Sequence, residues 1–402
     1  MIETKFKRTE VGLIPEDWDV TTIDEITKHC SNAFVDGPFG SNLKTVHFVK
    51  HGDVYVIESS CVTTGSFIAK DYKTITKEHF ETISRSECRA GDVIIAKIGM
   101  NCGMCAELPN LNKKSVVSGN SMKITIEQNK MLNYIFINYM NVAKKQGRFN
   151  GLISESAQPA LSLRTLKPFL IPLPTPAEQK RIATALSDID DLISSMRKLI
   201  EKKKNIKQGV MQELLSGKKR LKGFTGVWNT VETLRISGKI KRGQTLKSED
   251  FCNGNVPVVA GGKKYAGYHN VPNQIGRTVT ISGSGANAGY IAIHQVPIFA
   301  TDCSVISESE SFSLDFLFYL LSFRQEDIYK LQTGGAQPHV YPRDVESMII
   351  SIPSAKDEQE AIAKVLSDMD AEIEQLEMRL TKYEDIKQGM MQQLLTGKIR
   401  LI

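Results

Sequence analysis

Residues 178–221 read EQKRIATALSDIDDLISSMRKLIEKKKNIKQGVMQELLSGKKRL, and residues 358–401 read EQEAIAKVLSDMDAEIEQLEMRLTKYEDIKQGMMQQLLTGKIRL. The two stretches align without a gap at a constant offset of 180 positions, and half of the aligned residues are identical. An offset held over so long a run marks an internal duplication, and a repeat of this kind decides the architecture before anything else is read.

Each copy has helical periodicity. Ile182, Leu186, Ile189, Ile193, Met196 and Ile200 step by four and three, as do Ile362, Leu366, Met369, Ile373, Leu376 and Leu380. So narrow a seam belongs to a coiled coil rather than to the broad stripe of a surface helix. The first copy opens on Thr175-Pro176-Ala177-Glu178, a capping box with proline at the first helical position, and the second on Ser354-Ala355-Lys356-Asp357. Each closes at a glycine, Gly217 or Gly397. The pattern predicts helical spacers over 176–217 and 354–402, about 55–60 Å from cap to stop at 1.5 Å per residue. Two matched seams in one chain can satisfy each other, so an intramolecular antiparallel coiled coil is expected.

The duplication extends beyond the helices. The only two tryptophans, Trp18 and Trp228, each follow a basic lead-in and a glycine, and Ala157-Gln158-Pro159 matches Ala336-Gln337-Pro338. This frames two globules, 1–175 and 218–353, with the second shorter and no alignable sequence between the matched ends. Both read as mixed α/β. Strands are expected at Asp92–Ile98, Met122–Glu127 and Arg277–Ile281, and helices at Met131–Gln146 and Leu314–Leu331. The fold class is therefore α+β: two mixed α/β domains joined by two long helices. Rods kept alike while globules diverge point to two modules presenting different surfaces from one scaffold.

An apolar fraction of 41% and a charged fraction of 24% are those of a globular protein, and a net charge of +6 with pI near 8.8 permits nucleic-acid binding without requiring it. The N-terminal MIETKFKRTE is polar, unlike a secretory signal, and no apolar run reaches membrane-spanning length. Seven irregularly spaced cysteines suit reduced thiols, so a cytoplasmic location is expected. Cys102 and Cys105 form a CxxC without a second pair at zinc-finger spacing, which favours packing over a metal or redox role.

Catalytic motifs are missing. There is no Walker A sequence, no Asn/Asp-Pro-Pro-Tyr/Phe of an amino-methyltransferase, no HExxH and no GxSxG. Gly283, Gly285 and Gly289 are one residue off the dinucleotide fingerprint and lack the helix that should follow, so they read as a turn-rich loop. What remains is polar, basic loop chemistry. Lysine and arginine hold phosphates, while Arg, Asn, Gln, Ser and Thr meet base edges. The candidates in the first globule are Lys44, Lys97, Asn101 and Gln158. In the second they are Lys241, Arg242, Lys263, Lys264, Tyr265, Tyr268, His269, Asn287, Gln337 and His339. Lys263-Lys264 beside Tyr265 and Tyr268 interleaves cations with aromatic faces and is the best single patch.

The duplicated helices with their IKQGxMQxLLxGKxRL tails, the proline-led Glu-Gln openings, the Gln-Pro turns and the two Trp-led globules resemble the specificity subunit of type I restriction–modification systems. Segments such as DGPFGSNLK at 36–44 and GGKKYAGYHN at 261–270 are similar to pieces of that family's target-recognition domains. The resemblance implies that each globule reads half of a bipartite double-stranded DNA sequence, asymmetric because the globules differ. It implies that the paired helices set the gap and dock two methyltransferase subunits, and that motor–nuclease subunits join through the complex. S-adenosylmethionine, ATP and Mg2+ would then belong to those partners, with no catalytic residue, cofactor or metal in this chain and no membrane contact. Modules entering major grooves on one face of the duplex would be centred about 34–36 Å apart. The competing expectation is a coiled-coil adaptor that binds only protein.

Overall fold

In the computed structural model, which describes residues 5–153, 159–247, 249, 251–310 and 312–402, the two duplicated stretches are uninterrupted helices of 39 residues each. The chain divides into two compact units, Met1–Ser195 with Leu380–Ile402, and Met196–Arg379. Each unit is a mixed α/β domain completed by the start of the long helix that follows it and the end of the other long helix.

In the first unit, β1 (Phe34–Asp36), β2 (Val93–Ala96), β3 (Cys105–Glu107) and β4 (Ser121–Ile124) form an antiparallel sheet of order β1-β4-β2-β3. Helix α1 (Asn133–Lys145) lies against it, burying Ile135, Phe136 and Met140 with Val93, Ile95 and Met122. A second sheet combines Val54–Ile57, Lys73–Ile75, Glu87–Cys88 and Lys114–Val117. Helix α2 (Pro176–Leu214) begins just after this domain.

The second unit repeats the main sheet. Strands β5 (Lys241–Arg242), β6 (Thr278–Ser282), β7 (Ile291–His294) and β8 (Cys303–Ser307) run in the order β5-β8-β6-β7, again antiparallel. Helix α3 (Leu314–Phe323) packs on it and α4 (Lys356–Leu394) follows. The helix expected at Leu314–Leu331 breaks at Arg324, and a short helix, Gln325–Lys330, continues. Arg324 leaves helical geometry, bonds Asp327 at 2.5 Å, and turns Gln325 toward the sheet.

The helices pair antiparallel. In the first unit Ile182 and Leu186, near the start of α2, share a core with Met391, Leu394 and Leu395 at the end of α4. In the second unit Leu214 and Leu215, at the end of α2, meet Ile362 and Leu366 at the start of α4. Lys203–Glu372 (2.7 Å) and Lys204–Glu377 (2.6 Å) flank that second packing. Ile189, Ile193 and Ile373 are buried, and Met369 is half-buried.

Three polar anchors tie domain to helix, and each occurs in both units, its helix residue repeated at the 180-residue offset. Glu178, 1% exposed, accepts Trp18 Nε1–H at 2.7 Å and both prongs of Arg400 at 2.7 Å. Glu358, likewise 1% exposed, accepts Arg220 at 2.5 and 2.6 Å and Trp228 at 3.4 Å. Asp190 takes Tyr134 Oη–H at 2.6 Å and Lys387 at 2.5 Å, while Asp370 takes Tyr319 at 2.8 Å and Lys207 at 2.5 Å. Gln179 accepts the Leu132 N–H and donates to the Pro174 carbonyl; Gln359 accepts the Ser313 N–H and donates to that of Pro353. The capping box is accordingly only half made. Thr175 caps the Glu178 N–H, but the Glu178 carboxylate is committed to Trp18 and Arg400. The tails turn through Gly217 and Gly397, both at φ +70°, which pack on Trp228 and on Pro15 and Trp18 respectively.

Burial raises the Glu178 carboxyl pKa, yet hydrogen bonds from Arg400 and Trp18 outweigh it and hold the group below the usual glutamate range. A carboxylate depressed on folding stabilises the native state above its unfolded pKa, and that stability is lost as pH falls through the folded value. Replacing Glu178 by alanine takes the buried partner from Arg400, leaving it only the exposed Asp17, and should cost about 3 kcal/mol. Denaturant titration of Glu178→Ala and Glu178→Gln checks this: both should unfold earlier at neutral pH, and the gap from the parent chain should narrow under acid.

Candidate nucleic-acid interface

At one end of each main sheet sits a hairpin loop, 96–104 between β2 and β3 and 282–290 between β6 and β7. The loops close through the same backbone hydrogen bonds. Gly103 N–H donates to the Ala96 carbonyl at 2.8 Å, and Gly289 N–H to that of Ser282 at 2.7 Å. Cys102 N–H bonds the Gly99 carbonyl and Ala288 N–H that of Gly285, both at 2.9 Å. Met104 N–H bonds Asn101 O at 3.0 Å, and Tyr290 N–H bonds Asn287 O at 2.9 Å. Gly99, Gly103, Gly285 and Gly289 all have φ between +80° and +93°, the left-handed region that glycine enters without strain.

A second segment buttresses each hairpin. Gly99 N–H donates to the Pro159 carbonyl and Leu161 N–H to that of Lys97; Gly285 N–H donates to the Pro338 carbonyl and Val340 N–H to that of Gly283. The Gln-Pro turns legible in the sequence are therefore clamps on the hairpins. Gln158 itself lies outside the described residues, whereas Gln337 is exposed and His339 half-buried beside Ser284. A side-chain amide from the packed helices holds the exit strand. Asn141 accepts the Cys105 N–H at 2.9 Å, and Gln325 accepts the Ile291 N–H at 3.2 Å while donating to Gly289 O at 2.7 Å.

The residues at equivalent positions beside these matched frames are opposite in sign, each with a partner of the other sign. At the end of β1, Asp36 precedes Gly37, whose N–H bonds the Ser121 carbonyl; at the end of β5, Arg242 precedes Gly243, whose N–H bonds that of Cys303. Asp36 is paired at 3.0 Å with Lys97 at the root of the first hairpin, and this pair is mostly covered. Arg242 is 64% exposed and lies 3.8 Å from Asp302, which also accepts the Ser284 hydroxyl. One frame thus presents a neutralised carboxylate–ammonium pair and the other a forked cation open to solvent.

Of the sequence-derived candidates, the structure gathers Lys97 and Asn101 at the first hairpin and Arg242, Asn287, Gln337 and His339 at the second. Lys263 joins the latter, its ammonium 5.3 Å from the Tyr290 ring centroid. Lys241 is exposed beside Arg242 on β5. The rest sit apart. Lys44 is exposed at the start of a short 3-10 helix, its backbone N–H donating to His47 Nδ1. Lys264 and Tyr265 are exposed ahead of the strand Gly267–His269; Tyr268 is exposed on that strand, and the His269 ring lies tilted with its centroid 4.9 Å from that of Phe299. Sequence reasoning missed Asp302, Asn141 and Gln325, and it took in Asp36 only as the first residue of the segment 36–44. The available signal was the five-residue match GMNCG at 99–103 with GANAG at 285–289, hidden because its spacing to the Gln-Pro turn differs between the globules.

The glycine-rich 282–290 segment is a hairpin between antiparallel strands, not a dinucleotide turn. Cys102 and Cys105 are buried, and their thiols point at different carbonyls, Lys97 and Ile137. Burial raises both thiol pKa values, which disfavours the thiolate a metal would need. Among the described residues no three His, Cys, Asp or Glu side chains converge on a metal position, and no helix is long and apolar enough to cross a membrane.

Comparison with known proteins agrees with this architecture. Residues 15–205 and 230–382 match the family model described as type I restriction modification DNA specificity domain. The chain is 26% identical over 428 residues to the MjaX type I restriction enzyme specificity subunit of Methanocaldococcus jannaschii, covering 99% of this chain and 97% of that one. It is 25% identical over 434 residues, with the same coverage, to the MjaVIII specificity subunit of the same organism. The crystal structure of a type I restriction–modification system S subunit from M. genitalium has the same fold, with a TM-score of 0.60 at 17% identity over 98% of this chain and 99% of that one.

If Gln325 holds the second hairpin, Gln325→Ala orphans the Ile291 N–H at a cost of about 1–3 kcal/mol. Hydrogen exchange should then quicken across 282–291 while the strand Trp228–Glu232 keeps its protection. Equal loosening of both segments would contradict that role.

Proposed function

Because this chain belongs to the family of type I restriction–modification DNA specificity subunits, we propose that its two globular modules, 1–175 and 218–353, each read one half of an asymmetric double-stranded target. The observation that carries this is the pair of matched hairpin ends whose equivalent strand-end positions hold Asp36 in one and Arg242 in the other: one frame, two chemistries. A forked cation such as Arg242 suits guanine, whereas the Asp36–Lys97 pair neutralises itself and leaves its half to neighbouring polar groups. The exposed lysines that lie apart from the hairpins, Lys44 and Lys264 among them, serve the phosphates, which set register rather than sequence.

The helical spacers, 176–217 and 354–402, dock two methyltransferase subunits, one on each helix end. Support comes from residues kept in both copies without an internal reason. Gly209 and Gly389 stand inside their helices, exposed, with no atom near enough to resist a side chain. Glycine there costs about 1 kcal/mol relative to alanine, so its retention fits close approach by another molecule. Ile206 and Ile386, three residues earlier, are 45% and 40% exposed, and Gln212 and Gln392, three residues later, are exposed too. S-adenosylmethionine, ATP and Mg2+ belong to the methyltransferase and to the motor–nuclease subunits that join through the complex.

Two measurements test the reading. Titration of duplex DNA onto the chain with its methyltransferase should give sequence-dependent binding that weakens steeply with salt; binding indifferent to sequence would overturn it. Gly209→Gln should leave the helix at least as stable, yet lower the methyltransferase stoichiometry from two to one by native mass spectrometry. Unchanged stoichiometry would remove the docking site.

A further inference from the structure

The two hairpin tips differ everywhere a side chain is free to differ, with one exception. Between the left-handed glycines the sequences are Met100-Asn101-Cys102 and Ala286-Asn287-Ala288. Met100, 90% exposed, becomes Ala286; Cys102, buried, becomes the equally buried Ala288. Asn101 and Asn287 are the same residue at the same point in the same hydrogen-bonded loop.

Nothing among the described residues requires asparagine there. Neither residue has a positive φ, so the backbone would accept most side chains. The loop uses only their carbonyls, as acceptors for the Met104 and Tyr290 N–H groups. Asn101 is exposed, Asn287 is half-exposed, and neither side-chain amide is engaged in a hydrogen bond within the described residues. Two modules that have replaced nearly everything between their matched ends have kept an amide that does no internal task.

We infer that Asn101 and Asn287 are specificity-determining residues that read the feature common to the two half-sites, an adenine in each. This rests on the DNA-reading function proposed above and assigns it a base. The reasoning is one of elimination and fit. A residue shared by both readers cannot encode the difference between the half-sites, so it meets something both contain. The forked donor–acceptor of a primary amide matches the N6–H and N7 edge of adenine in the major groove. The variable neighbour at each tip, Met100 or Ala286, and the oppositely charged Asp36 and Arg242 are left to distinguish one half from the other.

The test uses the full chain assembled with its methyltransferase. Binding is measured on duplexes substituted one base pair at a time, for the parent and for Asn101→Ala, Asn287→Ala, Asn101→Asp and Asn287→Asp. The parent should show one adenine in each half whose replacement weakens binding about 5- to 150-fold, the range of one good bidentate contact. Asn101→Ala should abolish that discrimination in one half and Asn287→Ala in the other, with the slope of affinity against salt unchanged. The aspartate variants keep a turn-compatible residue of equal size but lose the amide donor; they should move preference at that position toward cytosine, whose N4–H donates. Alanine variants that lose affinity equally on every sequence, with a shallower salt slope, would mark phosphate contacts and overturn the inference. So would discrimination retained at every position. A parent complex without any base preference would instead defeat the underlying DNA-reading function, a result separable from the other two.

Discussion

A buried carboxylate at the start of each long helix is the constraint on which this structure depends. Glu178 and Glu358 are each 1% exposed and would be expelled or protonated without partners. Their partners come from two places in the chain: a tryptophan of the domain and an arginine from the tail of the other helix. Each α/β domain is thereby fastened to both helices at once. The first domain is completed by the last residues of the chain, with Arg400 donating to Glu178 and to Asp17. Apolar packing along the seam supplies the bulk of the association, and the ionic anchors fix its register.

Conserving those anchors while freeing the far end of the sheet is what lets one fold carry two surfaces. The tyrosine–aspartate–lysine and glutamine anchors repeat with the helices because any slip in either would unseat a domain. The hairpin end is held chiefly by backbone hydrogen bonds, two glycine turns and side-chain amide clamps. None of these depends on the side chains that face outward. Asp36 and Arg242 can therefore exchange sign at equivalent positions without disturbing the sheet beneath them. A rigid loop with replaceable side chains is the economical way to vary recognition while the support stays constant.

Much of the fold was legible because its signals are periodic. The seam at Ile182 to Ile200 and Ile362 to Leu380, the stops at Gly217 and Gly397, and the strand around Val93–Ala96 follow from residue spacing alone. The antiparallel pairing followed from two matched seams in one chain. The break at Arg324 was not legible, since Leu314–Leu331 keeps helical spacing and the turn is held by the local Arg324–Asp327 pair together with tertiary bonds from Gln325 to Gly289 and Ile291. The capping box failed for the same reason: Glu178 had the right position for a local bond but a better, distant pair of donors. At the interface, the Gln-Pro turns were visible as repeats, yet their role as hairpin clamps needed the backbone. Asp302 escaped notice because an acidic residue does not suggest a place at a basic surface until its partner, Arg242, is seen beside it.

The central claim is that each domain is an independent reader mounted on a common support. Exchange of residues 1–175 for the corresponding domain of a relative, followed by mapping of methylated bases in cells that also hold the cognate methyltransferase, tests it most directly. The account predicts that one half of the methylated motif changes and the other half stays as it was. A motif altered in both halves, or in neither, would contradict it.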